Sequence, residues 1–132
     1  MIRNSELLTG FTDHELEIIA LVARYHRKST PKTRHVEYAR LHEADQRVVE
    51  ILSGLLRIAA GLDRTRCAAV NRLRVEGGEK GKPLRILVET AAGADADLEL
   101  YSARNRAEGL EQALGVTVLI EAVPPGLLKA AP

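Results

Sequence analysis

The sequence predicts an α+β fold, in which a helical subdomain is followed by a small β-β-β-α-β sheet-and-helix subdomain. The chain has 132 residues, about the length of one domain. Its 45% hydrophobic and 28% charged residues are the balance of a folded globular protein. Apolar residues recur at helical spacing in the first half and alternate with polar residues in the second. We therefore predict a helical part over 1–68, a small α/β part over 69–123 and a flexible tail over 124–132.

Two helices are predicted in the first part, over 13–28 and 43–62. Thr12 and Glu15 have the spacing of a capping box at the start of the first helix. The segment 29–40 contains a proline and small polar residues, so it is predicted to be a loop. In the second helix, Gly54 and Gly61 are two turns apart, although each costs about 1 kcal/mol relative to alanine. They indicate close approach of a backbone or an anionic ligand, or are two tolerated surface glycines.

Alternating apolar residues predict strands in the second part. Leu98 and Leu100 alternate with acidic residues and indicate a short third strand, while Ser102 is a suitable cap for the helix after it. Gly115 is a good C-terminal stop for that helix. In order, the predicted elements are a strand at 72–76, a turn at 77–83, a strand at 84–89, a strand at 97–101, a helix at 102–115 and a strand at 116–120.

Composition excludes several classes of function. Aromatic residues are 3% of the chain, which is poor material for stacking the bases of single-stranded nucleic acid. No apolar run approaches the roughly 20 residues of a membrane span, and the first residues do not resemble a signal peptide, so we expect a cytoplasmic protein that binds no membrane. The single cysteine, Cys67, excludes an internal disulfide, and we expect it to be a small buried side chain.

The sequence offers little for catalysis or metal binding. The glycine-rich segment 77–81 leads into a strand, so it lacks the helix N-terminus that a phosphate-binding loop requires. The four histidines do not share the spacing of metal ligands on one helix. Asp63 is expected to point inward and to pair with Arg64 or Arg66. We therefore expect no catalytic residue, metal site or cofactor in this chain.

A basic cluster at the end of the first helix is the strongest functional signal. Arg24, Arg27 and Lys28 fall on one side of a helix and suit phosphate oxygens. A solvated helix cap, in which the cations complement the helix dipole, explains the same pattern. His26 lies in the apolar arc of this helix, where a lone histidine is more often a core residue than a ligand.

Three stretches of the sequence resemble the C-terminal region of the exopolyphosphatase / guanosine pentaphosphate phosphohydrolase (Ppx/GppA) family. The stretches are Tyr25-His26-Arg27-Lys28-Ser29, then Leu55-Leu56-Arg57-Ile58-Ala59 with Leu62-Asp63-Arg64, and the final LELYSARNRAEGLEQALGVTVLIE. The resemblance implies an HD-like helical domain followed by a small α/β part, which helps to line a basic channel and a dimer interface. It also implies that catalysis belongs to a pair of actin-like domains elsewhere in such enzymes.

The resemblance carries specific expectations for this chain. Arg24, His26, Arg27 and Lys28 match the family and are candidate contacts to a polyanion. The positions of the first HD-type metal ligands are missing, and Ala60 stands where an HD hydrolase carries a later ligand. We expect a domain that binds polyphosphate or a phosphorylated nucleotide and forms a homodimer, without a catalytic centre of its own; a separate actin-like catalytic chain is a further candidate partner. The alternatives are an HD-type metal-dependent phosphohydrolase and a basic nucleic-acid-binding module.

Overall fold

A computed structural model describes residues 9–27 and 35–128 of the chain. The described elements are helices and a three-stranded sheet, so the predicted α+β class is confirmed. In chain order they are α1 (Asp13–Tyr25), α2 (Val36–Ala39), α3 (Glu43–Leu62), β1 (Val70–Gly77), β2 (Leu84–Thr90), α4 (Asp97–Asn105), α5 (Glu108–Leu114) and β3 (Val118–Val123).

Helix α1 begins with the predicted capping box. The Oγ1 atom of Thr12 accepts a hydrogen bond from the backbone N–H of Glu15 at 3.1 Å, and the Glu15 carboxylate accepts from the backbone N–H of Thr12 at 2.8 Å. Two of the helix's unpaired N–H groups are thereby satisfied. The segment predicted as a loop contains a single helical turn, α2, whose Tyr38 is buried against the inner face of α1. The rest of that loop, 29–34, lies outside the described residues.

Helix α3 has the predicted bounds, and its two glycines face the backbones of the following helices. A Cβ atom on Gly61 would lie 2.7 Å from the backbone nitrogen of Ala103 in α4, and one on Gly54 would lie 3.0 Å from the Cα atom of Leu110 in α5. Of the predicted alternatives, close approach of a backbone is therefore the one observed. Because these two glycines have no side chains, α4 and α5 can pack closely against α3.

The sheet has the order β1-β2-β3. Strands β1 and β2 form the predicted antiparallel hairpin, and Gly77 and Gly78 take positive φ angles in its turn, which glycine tolerates without steric cost. Strand β3 pairs with β2 in parallel, with Ile86 opposite Ile120. A parallel pair needs a crossover, and α4 and α5 provide it.

The predicted strand over 97–101 is wrong, because this segment is the start of α4. An Asp95 Oδ1 atom accepts a hydrogen bond from the backbone N–H of Asp97 at 2.9 Å, which supports a helical start. The buried residues Leu100, Ala103 and Ala107 follow a helical spacing. Ser102 therefore lies inside α4 instead of capping a helix. Gly115 ends α5 with a φ of 68°, as predicted.

Helix α3 contributes to two clusters of buried side chains. Its Ile58 and Leu62 pack with residues of the sheet, α4 and α5, while its Val49 packs with Leu21 and Tyr25 of α1. After β3, the chain returns to the sheet, where the buried Glu89 accepts a hydrogen bond from the backbone N–H of Leu128 at 2.8 Å. No helix in 9–27 or 35–128 is long and apolar enough to cross a membrane.

Candidate anion-binding cleft

A cleft with a volume of about 450 Å³ opens where three helices end. This volume is within the range of small-molecule binding sites. The described residues that line it are His26, Arg27, Arg57, Ala60, Arg64, Arg66 and Arg106. Five arginines and a histidine therefore share one cleft whose described lining contains no carboxylate, and we call it the basic cleft.

Helix ends supply most of these basic side chains. His26 and Arg27 follow the last turn of α1, Arg64 follows the end of α3, and Arg106 is the residue after α4. Cations at helix C-termini complement the negative end of the helix dipole, which stabilises one cation at each terminus. The dipole does not account for Arg57, inside α3, or for Arg66, beyond its end. The cluster therefore exceeds what helix capping requires.

Arg57 joins two of the helices that form the basic cleft. Its Nη1 atom donates a hydrogen bond to the backbone carbonyl oxygen of Tyr25 at 3.3 Å. This carbonyl belongs to the last residue of α1, where helical carbonyls lack partners within the helix. The contact places the guanidinium of Arg57 beside His26 and Arg27.

His26 is half-buried at the C-terminus of α1. Its Nδ1 atom donates to the carbonyl oxygen of Ala23 at 2.6 Å, since a carbonyl can only accept. Contact with an anion would therefore use Nε2, which donates a hydrogen bond when the ring is protonated. The His26 ring lines the basic cleft and does not fill the core, although a core position is the more common one for a lone histidine in an apolar helical arc.

Residues 63–68 between α3 and β1 form a loop that carries Arg64 and Arg66, and we call it the arginine loop. Arg66 and Ala68 have φ angles of 57° and 53°, in the left-handed region. Between the two arginines, the hydroxyl of Thr65 donates to Oε1 of Glu99 in α4. This hydrogen bond holds the pKa of the buried Glu99 carboxyl below its usual value.

A second cavity adjoins the basic cleft and extends over the outer side of α4. It has a volume of about 250 Å³ and shares Arg64 and Arg106 with the cleft. The rest of its lining includes Tyr101, Ser102 and Asn105. An elongated anion that fills the cleft could continue past the two shared arginines toward α4.

The predicted basic cluster is divided by the structure. Arg27 and His26 line the basic cleft, but Arg24 does not. Its guanidinium forms a 3.7 Å ion pair with Glu37 and lies 5.2 Å from the centre of the Tyr25 ring. Lys28 lies outside the described residues.

Sequence reasoning missed Arg57, Arg64, Arg66 and Arg106 as parts of this site. The Arg64-Thr65-Arg66 and Arg104-Asn105-Arg106 stretches are visible as basic segments, but they are far apart in sequence. The pairing expected for Asp63 is wrong: its side chain is exposed, and no ion pair joins it to Arg64 or Arg66. Both arginines are consequently available to the cleft.

Other candidate chemistry is sparse in the described ranges. No group of three or more His, Cys, Asp or Glu side chains there could hold a metal ion. Ala60 lines the basic cleft, and its methyl side chain has no donor atom for a metal. Cys67 is exposed, which contradicts its expected burial, because it lies in the arginine loop and not in a packed element.

Comparison with known proteins gives one family. The sequence profile of Ppx/GppA phosphatase domain III matches residues 1–106, which include every described residue of the basic cleft. Comparison with curated protein sequences gives no match.

Proposed function

The chain belongs to the Ppx/GppA phosphatase family, through domain III of that family, and from this membership we propose that the basic cleft binds polyphosphate or another phosphate-rich anion. One observation carries the proposal: five arginines line a cleft whose described lining has no carboxylate. Like charges gathered in one place raise the free energy of the folded protein, and a bound polyanion offsets that cost. Arginine is also the side chain best suited to phosphate oxygens.

The shape of the site favours an elongated anion over a single phosphate. The second cavity continues from the basic cleft and shares Arg64 and Arg106 with it. A chain of phosphates could contact Arg27 and Arg57 inside the cleft together with Arg64 and Arg106 at its junction with the second cavity, so affinity should increase with chain length.

A phosphorylated nucleotide is the second candidate ligand. Tyr101 is 67% exposed and lines the second cavity beside Asn105. An aromatic ring in this position could stack on a base while Arg64 and Arg106 bind its phosphates. Competition between polyphosphate, guanosine nucleotides and RNA for the parent protein distinguishes the three anions.

We propose binding without hydrolysis by this chain alone. The described lining of the basic cleft consists of five arginines, His26 and Ala60, so it contains none of the carboxylates that hold Mg²⁺ or Mn²⁺ for phosphoryl transfer. Polyphosphate incubated with the pure protein and Mg²⁺ or Mn²⁺ should release no phosphate above the blank. Release that a chelator abolishes would instead support the metal-dependent phosphohydrolase.

The direct experiment measures polyphosphate binding by calorimetry at two salt concentrations. We expect the Arg64→Ala/Arg106→Ala double variant to bind at least about tenfold more weakly, the equivalent of about 1.4 kcal/mol. The slope of log affinity against log salt should also decrease by about 2.

A matched control is the double variant Arg74→Ala/Lys80→Ala. It also removes two positive charges, one from an exposed position in β1 and one from the hairpin turn. Neither residue lines the cleft. It should bind nearly as tightly as the parent. Equal losses in both double variants would mean that net charge, not the basic cleft, determines binding.

Self-association is a separate proposal, and it concerns the opposite side of α3 from Gly54 and Gly61. An exposed apolar stripe runs along this helix, formed by Val48, Leu52, Leu55 and Leu56, each 39–45% exposed. Apolar residues at this helical spacing are a suitable surface for a second helix. We propose that a second copy of this chain covers the stripe, with a separate actin-like catalytic chain as the alternative partner.

A further inference from the structure

Glu99 is a buried carboxylate that faces the arginine loop. It is 2% exposed and forms no ion pair within the described residues. Its Oε1 atom accepts the hydrogen bond from Thr65, whereas no described residue forms a hydrogen bond to its buried Oε2 atom. Burial removes water from this carboxylate, so the hydrogen bonds that replace the water determine how well the fold tolerates its charge. The carboxylate therefore calls for an explanation beyond packing.

The loop that it contacts has an unfavourable backbone. Arg66 and Ala68 both occupy the left-handed region, which crowds any residue with a Cβ atom. Such conformations persist only where surrounding contacts hold them in place. The Thr65 hydroxyl donates a hydrogen bond to Glu99 and the backbone N–H of Thr65 acts on the same carboxylate, so Glu99 ties this loop to α4.

Thr65 lies between the two arginines of the loop. Its side chain is directed to Glu99 in α4, whereas Arg64 and Arg66 line the basic cleft. Holding the backbone at Thr65 limits the positions that the backbones of its two neighbours can take. Two arginines on a free loop would have to be ordered by the ligand, and this loss of entropy would weaken binding.

We propose that Glu99 and Thr65 are positioning residues, which hold the arginine loop so that Arg64 and Arg66 present their guanidinium groups to the anion. This inference rests on the proposed function of the basic cleft. A negative charge next to a site for anions would by itself oppose binding. In this proposal Glu99 instead favours binding, because it acts through Thr65 and is not part of the described cleft lining.

The experiment combines two measurements on the parent and on Thr65→Val, which removes the hydroxyl but keeps the branched shape. The first is polyphosphate affinity, which should fall about fivefold or more, the size of one lost charge-assisted contact. The second is the rate at which trypsin cleaves the folded protein after Arg64 and Arg66, relative to cleavage after Lys80 in the hairpin turn. This ratio should rise, since local opening exposes a loop to the protease.

Three further variants separate positioning from general stability. Thr65→Ser restores the hydroxyl and should restore both measurements to near the parent values. Val118→Ala shortens a buried side chain in β3, so it should lower the melting temperature without changing either measurement. Glu99→Gln keeps the shape of the side chain but weakens the hydrogen bond from Thr65. It replaces Thr65→Val as the test if that variant does not fold. It should weaken binding, whereas removal of a negative charge by itself would strengthen it.

Each remaining outcome decides the proposal. A parental cleavage ratio in Thr65→Val overturns it, as does a raised ratio with parental affinity, because the cleft would then not depend on the loop. Tighter binding by Glu99→Gln also overturns it. If the parent itself does not bind polyphosphate, the proposed function fails, and the cleavage ratio alone then shows whether Thr65 and Glu99 hold the loop.

Discussion

Arg24 and Arg27 are one helical turn apart in the chain but have different electrostatic surroundings. Arg27 lines the basic cleft, while Arg24 pairs with Glu37 and lies over the ring of Tyr25. We expect Arg27→Ala to weaken polyphosphate binding about fivefold, and Arg24→Ala to change it less than twofold. Neither variant should change the free energy of unfolding by more than about 1 kcal/mol, because exposed charges contribute little. Calorimetry and thermal unfolding measure both effects, and equal binding losses would contradict the division of the cluster.

Glu89 gives a second prediction at the scale of the residue. The amide of Asn71 donates to its carboxylate at 2.9 Å and lowers its pKa, and the backbone N–H of Leu128 acts in the same direction. A group with a lowered pKa in the folded state stabilises the protein above its ordinary pKa of 4.5 and loses this contribution as the pH falls through the folded value. The melting temperature of the parent should therefore fall as the pH is lowered from 5 to 3, roughly the window of carboxylate titration. Glu89→Gln should be less stable than the parent at pH 7 and should show a smaller fall; an identical fall in both proteins would exclude Glu89 as a cause.

At the scale of the elements, the close contact of α3 with α4 fixes the position of the crossover. Gly61 leaves no room for a side chain against the backbone of Ala103, and the contact at Gly54 is slightly looser. Alanine is the better helix former by about 1 kcal/mol, so a surface glycine would be improved by this substitution. We expect the opposite for Gly61→Ala, with a net loss of about 1–2 kcal/mol after the cost of overpacking. Chemical denaturation of Gly61→Ala and Gly54→Ala should show the larger loss for Gly61, and a stabilised Gly61→Ala would contradict the contact.

At the scale of the whole molecule, the apolar stripe on α3 determines what we expect of its assembly. The apolar side of α1 offers no such surface, because its Leu21 and Tyr25 are buried against Tyr38 and Val49. The homodimer remains a prediction, now placed at the stripe. Light scattering should show a dimer for the parent and a shift toward the monomer for Leu52→Gln/Leu56→Gln. A parent that is monomeric at high micromolar concentration would count against it.

The local sequence determined the elements whose signals lie within a few residues. The capping box at Thr12, the bounds of α3, the hairpin and the stop at Gly115 depend on neighbouring residues, so they could be predicted from the chain alone. The family could also be predicted, because the stretches that resemble it are runs of consecutive residues. The helical conformation of segment 97–101 could not be predicted, because its alternating leucines suit a strand as well as a helix.

Only the tertiary structure decided which side chains share a site. Arg27 was predicted to contact an anion, but its partners Arg57, Arg64, Arg66 and Arg106 come from segments up to 79 positions later in the printed sequence. They meet because Gly61 allows α4 to pack closely against α3 and Arg57 of α3 bonds to the end of α1, which brings the C-terminal ends of α1, α3 and α4 together. No local pattern contains that convergence, since it results from the packing of backbones that are distant in the chain.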